Sequence, residues 1–263
     1  MYPVLFTIPI FGGITINTYG VMVALGFVVG IFWVVRESKR LGESPAKALD
    51  LIFYILIAAI VGSRILHVAI SERSQFLSNP LMIFQVWRGG LVFYGGLIAS
   101  VAVSVWYVRR HKMPFLITLD IFAPAIAIGH AVGRIGCFFA GCCHGLVMDH
   151  RAWFSLVFPA NPNTFAPTGV PLYPTQLMEV IGEVTIFSIL VLLRHFKRFD
   201  GQILATYLML YAIMRYFNEF FRGDIQRGFL VEPWLSTSQF ISILVFAIGV
   251  AMYIWLWPRK SEG

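Results

Sequence analysis

The chain of 263 residues is poor in charge: only 13% of it is Asp, Glu, Lys or Arg, where about 25% is usual for a soluble domain. That scarcity excludes an ordinary soluble enzyme. Cysteine is scarcer still. The three present, Cys137, Cys142 and Cys143, are too few for an even disulfide framework and lack the paired CxxC spacing of a zinc site. The opening stretch MYPVLFTIPIFGG has neither a basic leader region nor a small-residue cleavage site, so no signal peptide is expected and the first apolar run should stay in the mature protein. No convincing internal repeat is present. The formal net charge is +7 and the pI near 9.5, but the basic residues sit beside apolar runs and form no soluble patch, so no nucleic-acid partner is expected.

What the chain does have is apolar mass. Hydrophobic residues make up 58%, with 24 Phe, 10 Tyr and 7 Trp, and mean hydropathy is +0.77. Such composition excludes disorder, because the surface available for burial offsets the entropy of ordering. Apolar runs lie near 17–35, 48–70, 91–108, 115–134, 176–193, 202–221 and 236–257. A spanning helix needs about 20 apolar residues, so the fold expected is an all-α integral membrane protein with about seven transmembrane helices in one catalytic domain over 1–263. Positive residues are retained on the cytoplasmic side. Twelve Lys and Arg fall in one set of ends (36–47, 109–112, 194–198, 259–260), against Arg73, Arg88, Arg151 and Arg227 in the other. The asymmetry predicts an outer N-terminus and a cytoplasmic C-terminus. The longest outer connection, about 144–175, holds five prolines. It reads as a small outer head, with WFSLVF at 153–158 as a short strand.

Charges inside the runs carry the chemical signal, since each costs at least ~2.5 kcal/mol in hydrocarbon and therefore has a partner or a task. With helices two, four and six running outward, Arg64, Arg134, Arg215 and Arg222 should converge on the outer half of the membrane. Glu219 accompanies them, and Glu179 and Glu183 enter on helix five. Arg215, Glu219 and Arg222 share a helical face, as do His130 and Arg134. One reading is internal salt bridging. The other is an anion site, because four guanidiniums face three carboxylates and the fork suits phosphate; at that depth the available anion is a phospholipid headgroup. Glycines in RGGLVFYGGL (88–97) and GHAVGRIGCFFAGCCHG (129–145) permit helix packing or close approach to a ligand.

GRIGCFFAGCCHG at 133–145 resembles the signature of the prolipoprotein diacylglyceryl transferases, integral membrane enzymes of bacteria. NTYGVMVALGF (17–27), GGLVFYGGL, YPTQLMEV (173–180), RYFNEFFRGD (215–224) and LSTSQ (235–239) resemble further family blocks in the same order, so the likeness covers essentially the whole chain. The resemblance implies a multi-pass enzyme of the bacterial inner membrane. It would transfer the diacylglyceryl group of phosphatidylglycerol to the lipobox cysteine thiol of a prolipoprotein, forming a thioether, releasing glycerol 1-phosphate and needing no cofactor. It also implies that Arg134 and Arg222 hold the phosphate. Tyr19 and Gly145 would lie near the lipid, and Arg215 and Glu219 in the same block.

Two departures from the family pattern stand out. Tyr94 replaces a histidine that many members carry before Gly95 and Gly96, and Cys137 and Cys142 stand where many carry Asn and Glu. A phenol is a reluctant base, so Tyr94 is expected to orient reactants. His144 and Glu219 become the alternative bases, with His144, Gly95 and Gly96 expected at the substrate. The cysteines read as small packing residues, because Cys142, Cys143 and His144 fit no common zinc spacing and no metal is expected. A transporter or lipid-translocating protein for an anionic lipid is the alternative reading, but it usually shows repeats or paired broken helices.

Overall fold

A computed structural model of the chain describes residues 2–8, 14–85, 90–224, 228–232 and 234–257. Its helices are α1 (Thr18–Arg40), α2 (Pro45–Ser71), the short α3 (Arg73–Ser78), α4 (Phe93–Arg110), α5 (Phe115–Ala140), α6 (Thr175–Leu193), α7 (Gln202–Asn218) and α8 (Thr237–Leu256). Every apolar run of the sequence falls on one of them. Five, namely α1, α2, α5, α6 and α8, are long and apolar enough to cross a membrane. The protein is thus a multi-pass helical membrane protein. Of the other two expected spans, α7 has 17 helical residues, and α4 has 18 and ends on Arg109 and Arg110. Four basic residues of the orientation argument, Arg88, Arg227, Arg259 and Lys260, lie outside the described residues.

Among the described residues three two-stranded antiparallel sheets accompany the helices: β1 (Val4–Ile8) with β2 (Ile14–Asn17), β3 (Leu156–Val157) with β4 (Pro171–Leu172), and β5 (Phe229–Val231) with β6 (Leu235–Ser236). The strand expected at 153–158 is therefore present but only two residues long. The chain divides into two compact units, Val34–Thr118 and the combination of Met1–Trp33 with Leu119–Gly263.

In the smaller unit α2 and α4 pack through glycine. A Cβ on Gly62 would meet both Gly95 O and Ala99 Cβ at 2.5 Å, and one on Gly96 would lie 2.8 Å from Ala59 O. Close backbone approach of this kind replaces hydrophobic driving force where lipid is the solvent. Ser44 caps α2 by accepting from Lys47 N at 3.4 Å, with Pro45 following, where its missing N–H costs nothing.

In the larger unit the core is built from α5, α6 and α7. Ala123 and Ala127 admit Ile186, Leu190, Ile203 and Tyr207. Trp33 Nε1 donates to Ile121 O at 3.2 Å and meets Phe187 edge-on at 5.0 Å. At the α7 N-terminus, Asp120 accepts from Gly201 N at 2.8 Å and Leu204 N at 2.9 Å and pairs with Lys197 at 2.9 Å, satisfying helix-end donors that have no other partner. Burial pulls the Lys197 ammonium down, but Asp200 and Asp120 outweigh it and hold the group above its ordinary value. A capping box starts α8: Ser236 Oγ accepts from Gln239 N, and Gln239 Oε1 from Ser236 N. The segment between α5 and α6 closes on a small core of Phe158, Ala166 and Leu172. Ile181 and Phe32 are each 67% exposed, as befits surfaces whose solvent is lipid.

Candidate active site

Helix α6 is the place to start, because one stripe of it is buried from end to end and changes character halfway. Thr175, Gln176, Glu179 and Glu183 fill the first turns, Ile186 and Leu190 the rest. Glu179 and Glu183 are 2% and 0% exposed. Carboxylates so deep require charged or hydrogen-bonding partners, and α5 and α7 supply them. Glu179 accepts from Asn218 Nδ2 at 2.7 Å and from Arg215 at 3.5 Å, and forms an ion pair with the Nε of Arg134. Glu183 lies 2.6 Å from His130 Nδ1. One turn along α5, Arg134 Nε donates to His130 Nε2 at 3.0 Å, so Nδ1 must carry the ring proton and donate it to Glu183. Arg215 continues to Glu219 at 2.8 Å. A single network thus runs from Glu183 through His130, Arg134, Glu179 and Arg215 to Glu219.

Beyond α5 the chain turns sharply. Gly141 has φ +75° and Cys143 φ +56°, left-handed values that only glycine adopts freely. The turn is pinned by α6: Gln176 Nε2 donates to Cys142 O and Thr175 Oγ1 to Cys143 O, both at 2.9 Å. The next residues form a ribbon. Leu146 N donates to Phe221 O at 2.8 Å, Gly223 N to His144 O at 3.0 Å and Tyr173 N to Leu146 O at 3.0 Å, with Gly145 paired to Arg222. A Cβ at Gly145 would lie 2.6 Å from Tyr173 Cβ, and one at Gly223 2.5 Å from Gly145 O. Both positions therefore require glycine.

The ribbon brings Arg222 to the turn that follows Arg134. Arg222 forks onto Asp224, with Nε at 2.8 Å from Oδ1. Contact with the Cys137 and Cys142 thiols, then the guanidiniums of Arg134 and Arg222, pulls the Cys143 thiol below its ordinary range. Tyr19, half-exposed at the start of α1, stands beside Gly136, where a Cβ would meet its ring at 3.3 Å. His144 Nδ1 lies 3.0 Å from Gly145 O.

One unit therefore holds Tyr19, Arg134, His144, Gly145, Arg215, Glu219 and Arg222, while Tyr94, Gly95 and Gly96 belong to the other. There Tyr94 opens α4, exposed and edge-on to Phe93 at 5.7 Å, and the two glycines serve helix packing. Arg64 departs from expectation. It donates to Met82 O at 2.9 Å, Ile83 O at 3.2 Å and Gly90 O at 3.4 Å, and pairs with Glu72 at 3.3 Å. It fastens the α2–α4 connection to α2. Nor does the expected excess of cations persist: Arg134, Arg215 and Arg222 arrive with Glu179, Glu219 and Asp224, because a buried guanidinium is too costly unpaired. What remains open is the outer end of Arg134. Its hydrogen bond runs through Nε to His130, and among the described residues its terminal nitrogens make no hydrogen bond.

The sequence pointed to the arginines but gave Glu179, Glu183 and His130 no defined part, and did not single out Asn218 or Asp224. The four-residue steps from Glu179 to Glu183 and from His130 to Arg134 were the available signal. Asp224 had none, since its role depends on the ribbon.

A family model described as prolipoprotein diacylglyceryl transferase matches residues 3–255 of the chain. A phosphatidylglycerol–prolipoprotein diacylglyceryl transferase of Geobacter sulfurreducens is 34% identical over 253 residues, which cover 95% of this chain and 94% of that protein. Proteins of the same name are 32% identical in Clostridium perfringens, where it is numbered 2 (92% of this chain, 91% of that one), and in Yersinia pestis (99% and 95%).

Proposed function

The chain belongs to the prolipoprotein diacylglyceryl transferase family, and from that premise we infer that it transfers the diacylglyceryl group of phosphatidylglycerol to the lipobox cysteine thiol of bacterial prolipoproteins. It does so as a seven-span protein of the cytoplasmic (inner) membrane, N-terminus out and C-terminus in, with 144–175 as the outer head of a single catalytic domain. The reading is supported most by Arg134: Nε is anchored on His130 and Glu179, which leaves the terminal nitrogens to an anion, and the same signature segment pairs with Arg222.

In this reaction the thiol sulfur attacks the glycerol carbon that bears the phosphate ester. A carbon–sulfur bond forms, the carbon–oxygen bond breaks, and glycerol 1-phosphate leaves. The phosphate gains a negative charge on the way, so fixed cations stabilise the transition state more than the ground state. Arg134 and Arg222 take that role. Arg215 and Glu219 hold Arg134 in place through Glu179, and Tyr19 and Gly145 border the lipid. Tyr94 orients the reactants through its hydroxyl, at the start of the helix that Gly95 and Gly96 pack against α2. For the thiol proton, His144 is the better base. Gly145 O can only accept, so His144 Nδ1 carries the ring hydrogen and Nε2 keeps its lone pair, whereas Glu219 is buried against Arg215.

Release of glycerol 1-phosphate tests the reading. Purified protein with phosphatidylglycerol and a lipobox peptide should release it in step with loss of free thiol, and a peptide with serine in place of cysteine should release none. Release that is independent of the peptide would indicate a lipid hydrolase, and the proposal would fail.

A further inference from the structure

The three cysteines have no part in the chemistry above, yet they form the one group of three potential metal donors among the described residues: the Sγ atoms of Cys137, Cys142 and Cys143 all lie within 4.8 Å of one another. Sequence spacing argued against a metal because neighbouring cysteines and His144 make a poor tetrahedron. The fold answers differently. It leaves His144 out, since that ring turns to Gly145 O, and recruits Cys137 from the last turns of α5.

The geometry is built and held. Two left-handed residues, Gly141 and Cys143, fold the chain back toward the helix. A non-glycine residue in that conformation crowds its Cβ against the neighbouring carbonyl, so the surrounding contacts must enforce it. Gln176 and Thr175, each 1% exposed, do so by binding the carbonyls of Cys142 and Cys143. No disulfide joins the three. Around a metal with sulfur at about 2.3 Å, three thiolates in a plane sit about 4.0 Å apart. The observed spacing closes onto such an ion with a shift of under an ångström.

We propose that Cys137, Cys142 and Cys143 form a trigonal site for a thiophilic metal ion, and that filling it weakens the hold of Arg134 and Arg222 on phosphate. Soft thiolates select ions such as Zn(II), Cd(II) or Cu(I) over hard cations. A divalent ion bound by three thiolates, their protons released to solvent, leaves one net negative charge one helical turn from Arg134, at Cys137, and two residues from Gly145, which pairs with Arg222. That charge competes with the lipid phosphate. The site is inhibitory, and catalysis does not use it. The second half of this inference rests on the phosphate role given to Arg134 and Arg222.

Cd(II) titration of the reduced protein in detergent, followed by the ultraviolet thiolate-to-metal absorption, tests the first half. One ion per chain should bind, and loss of a ligand should weaken binding by about 100-fold or more, since losing only an outer partner costs about 10- to 100-fold. Cys143→Ser and the triple Cys→Ser variant should show this while keeping metal-free turnover. If the triple variant does not fold, the single one decides. Absence of the band, or a band unchanged in Cys143→Ser, overturns the site. The second half is read from the KM for phosphatidylglycerol, which Cd(II) should raise in the wild type and leave alone in Cys143→Ser. A band without a change in KM overturns the coupling to the arginines, whereas a metal-free wild type with no transfer activity would fail the functional reading and leave the absorption result standing.

Discussion

Replacing Arg134 by lysine keeps the charge and removes the shape. In the wild type Nε faces His130 Nε2 at 3.0 Å and Glu179, which leaves two further nitrogens for phosphate. A lysine has one nitrogen for all of these partners. It must either desert Glu179 or reach the lipid imperfectly, so at least one charge-assisted hydrogen bond to the leaving group is lost. Such bonds contribute about 1.5–3 kcal/mol, and at about 1.36 kcal/mol per decade kcat/KM should fall by about 10- to 150-fold. The loss should be mainly in kcat, because the phosphate gains charge only as the bond breaks. Arg134→Ala should lose more: activity disappears, and stability falls by about 3 kcal/mol, the low end for a broken buried pair, because Glu179 keeps Arg215 and Asn218. Turnover is measured on a lipobox peptide with phosphatidylglycerol in mixed micelles, and folding by helical circular dichroism and thermal melting. A folded lysine variant with wild-type kcat/KM would show that the fork of Arg134 does not meet the phosphate.

Other substitutions probe the neighbouring parts. Arg222→Ala should abolish transfer in a protein that still folds but melts lower, because the buried pair with Asp224 is broken; normal turnover would remove Arg222 from the phosphate. Tyr94→Phe should cost about 1 kcal/mol, or roughly fivefold in rate, for one lost hydrogen bond and leave the shape of the pH profile unchanged, whereas a folded but inactive variant would give the hydroxyl a chemical role. Gly145→Ala should lower both the melting temperature and turnover, because its Cβ would lie 2.6 Å from Tyr173 Cβ; a silent substitution would mean that the ribbon is looser than described. The Lys197 ammonium is held above the ordinary 10.5 by Asp200 and Asp120 against the cost of burial. Its contribution to stability is therefore fully present below that pH and is lost as pH rises through the folded value. The melting-temperature gap between wild type and Lys197→Met should be constant between about pH 6, where Asp120 and Asp200 are ionised, and about pH 10, and close above it; a gap that widens with alkali would contradict this.

The helices were legible because lipid imposes a length and an apolar content that composition displays directly, and every predicted run is a helix. The arginines in them were legible for the same reason. How each is paired was not. Arg64 looked like Arg134, a guanidinium near the end of an apolar run, and only the α2–α4 connection, with its carbonyls at Met82 and Ile83, gives it a different task. The ribbon between Gly145 and Arg222 joins segments 77 positions apart, and no local pattern encodes it. The cysteine trio escaped for a related reason: spacing describes neighbours along the chain, and the left-handed turn at Cys143 brings together sulfurs that spacing had kept apart. The pairing of β1 with β2 was also missed: these strands precede the apolar run that begins near 17, and the opening stretch was weighed only as a leader.

The account stands on the transfer of a whole diacylglyceryl group to a thiol, and the mass of the peptide after reaction measures that directly. A lipobox peptide incubated with the purified protein and phosphatidylglycerol of defined acyl chains should gain the mass of the glycerol backbone with both chains. The adduct should also survive neutral hydroxylamine, as a thioether does and a thioester does not. A gain of one acyl chain only, a hydroxylamine-labile product or an unmodified peptide would contradict the account.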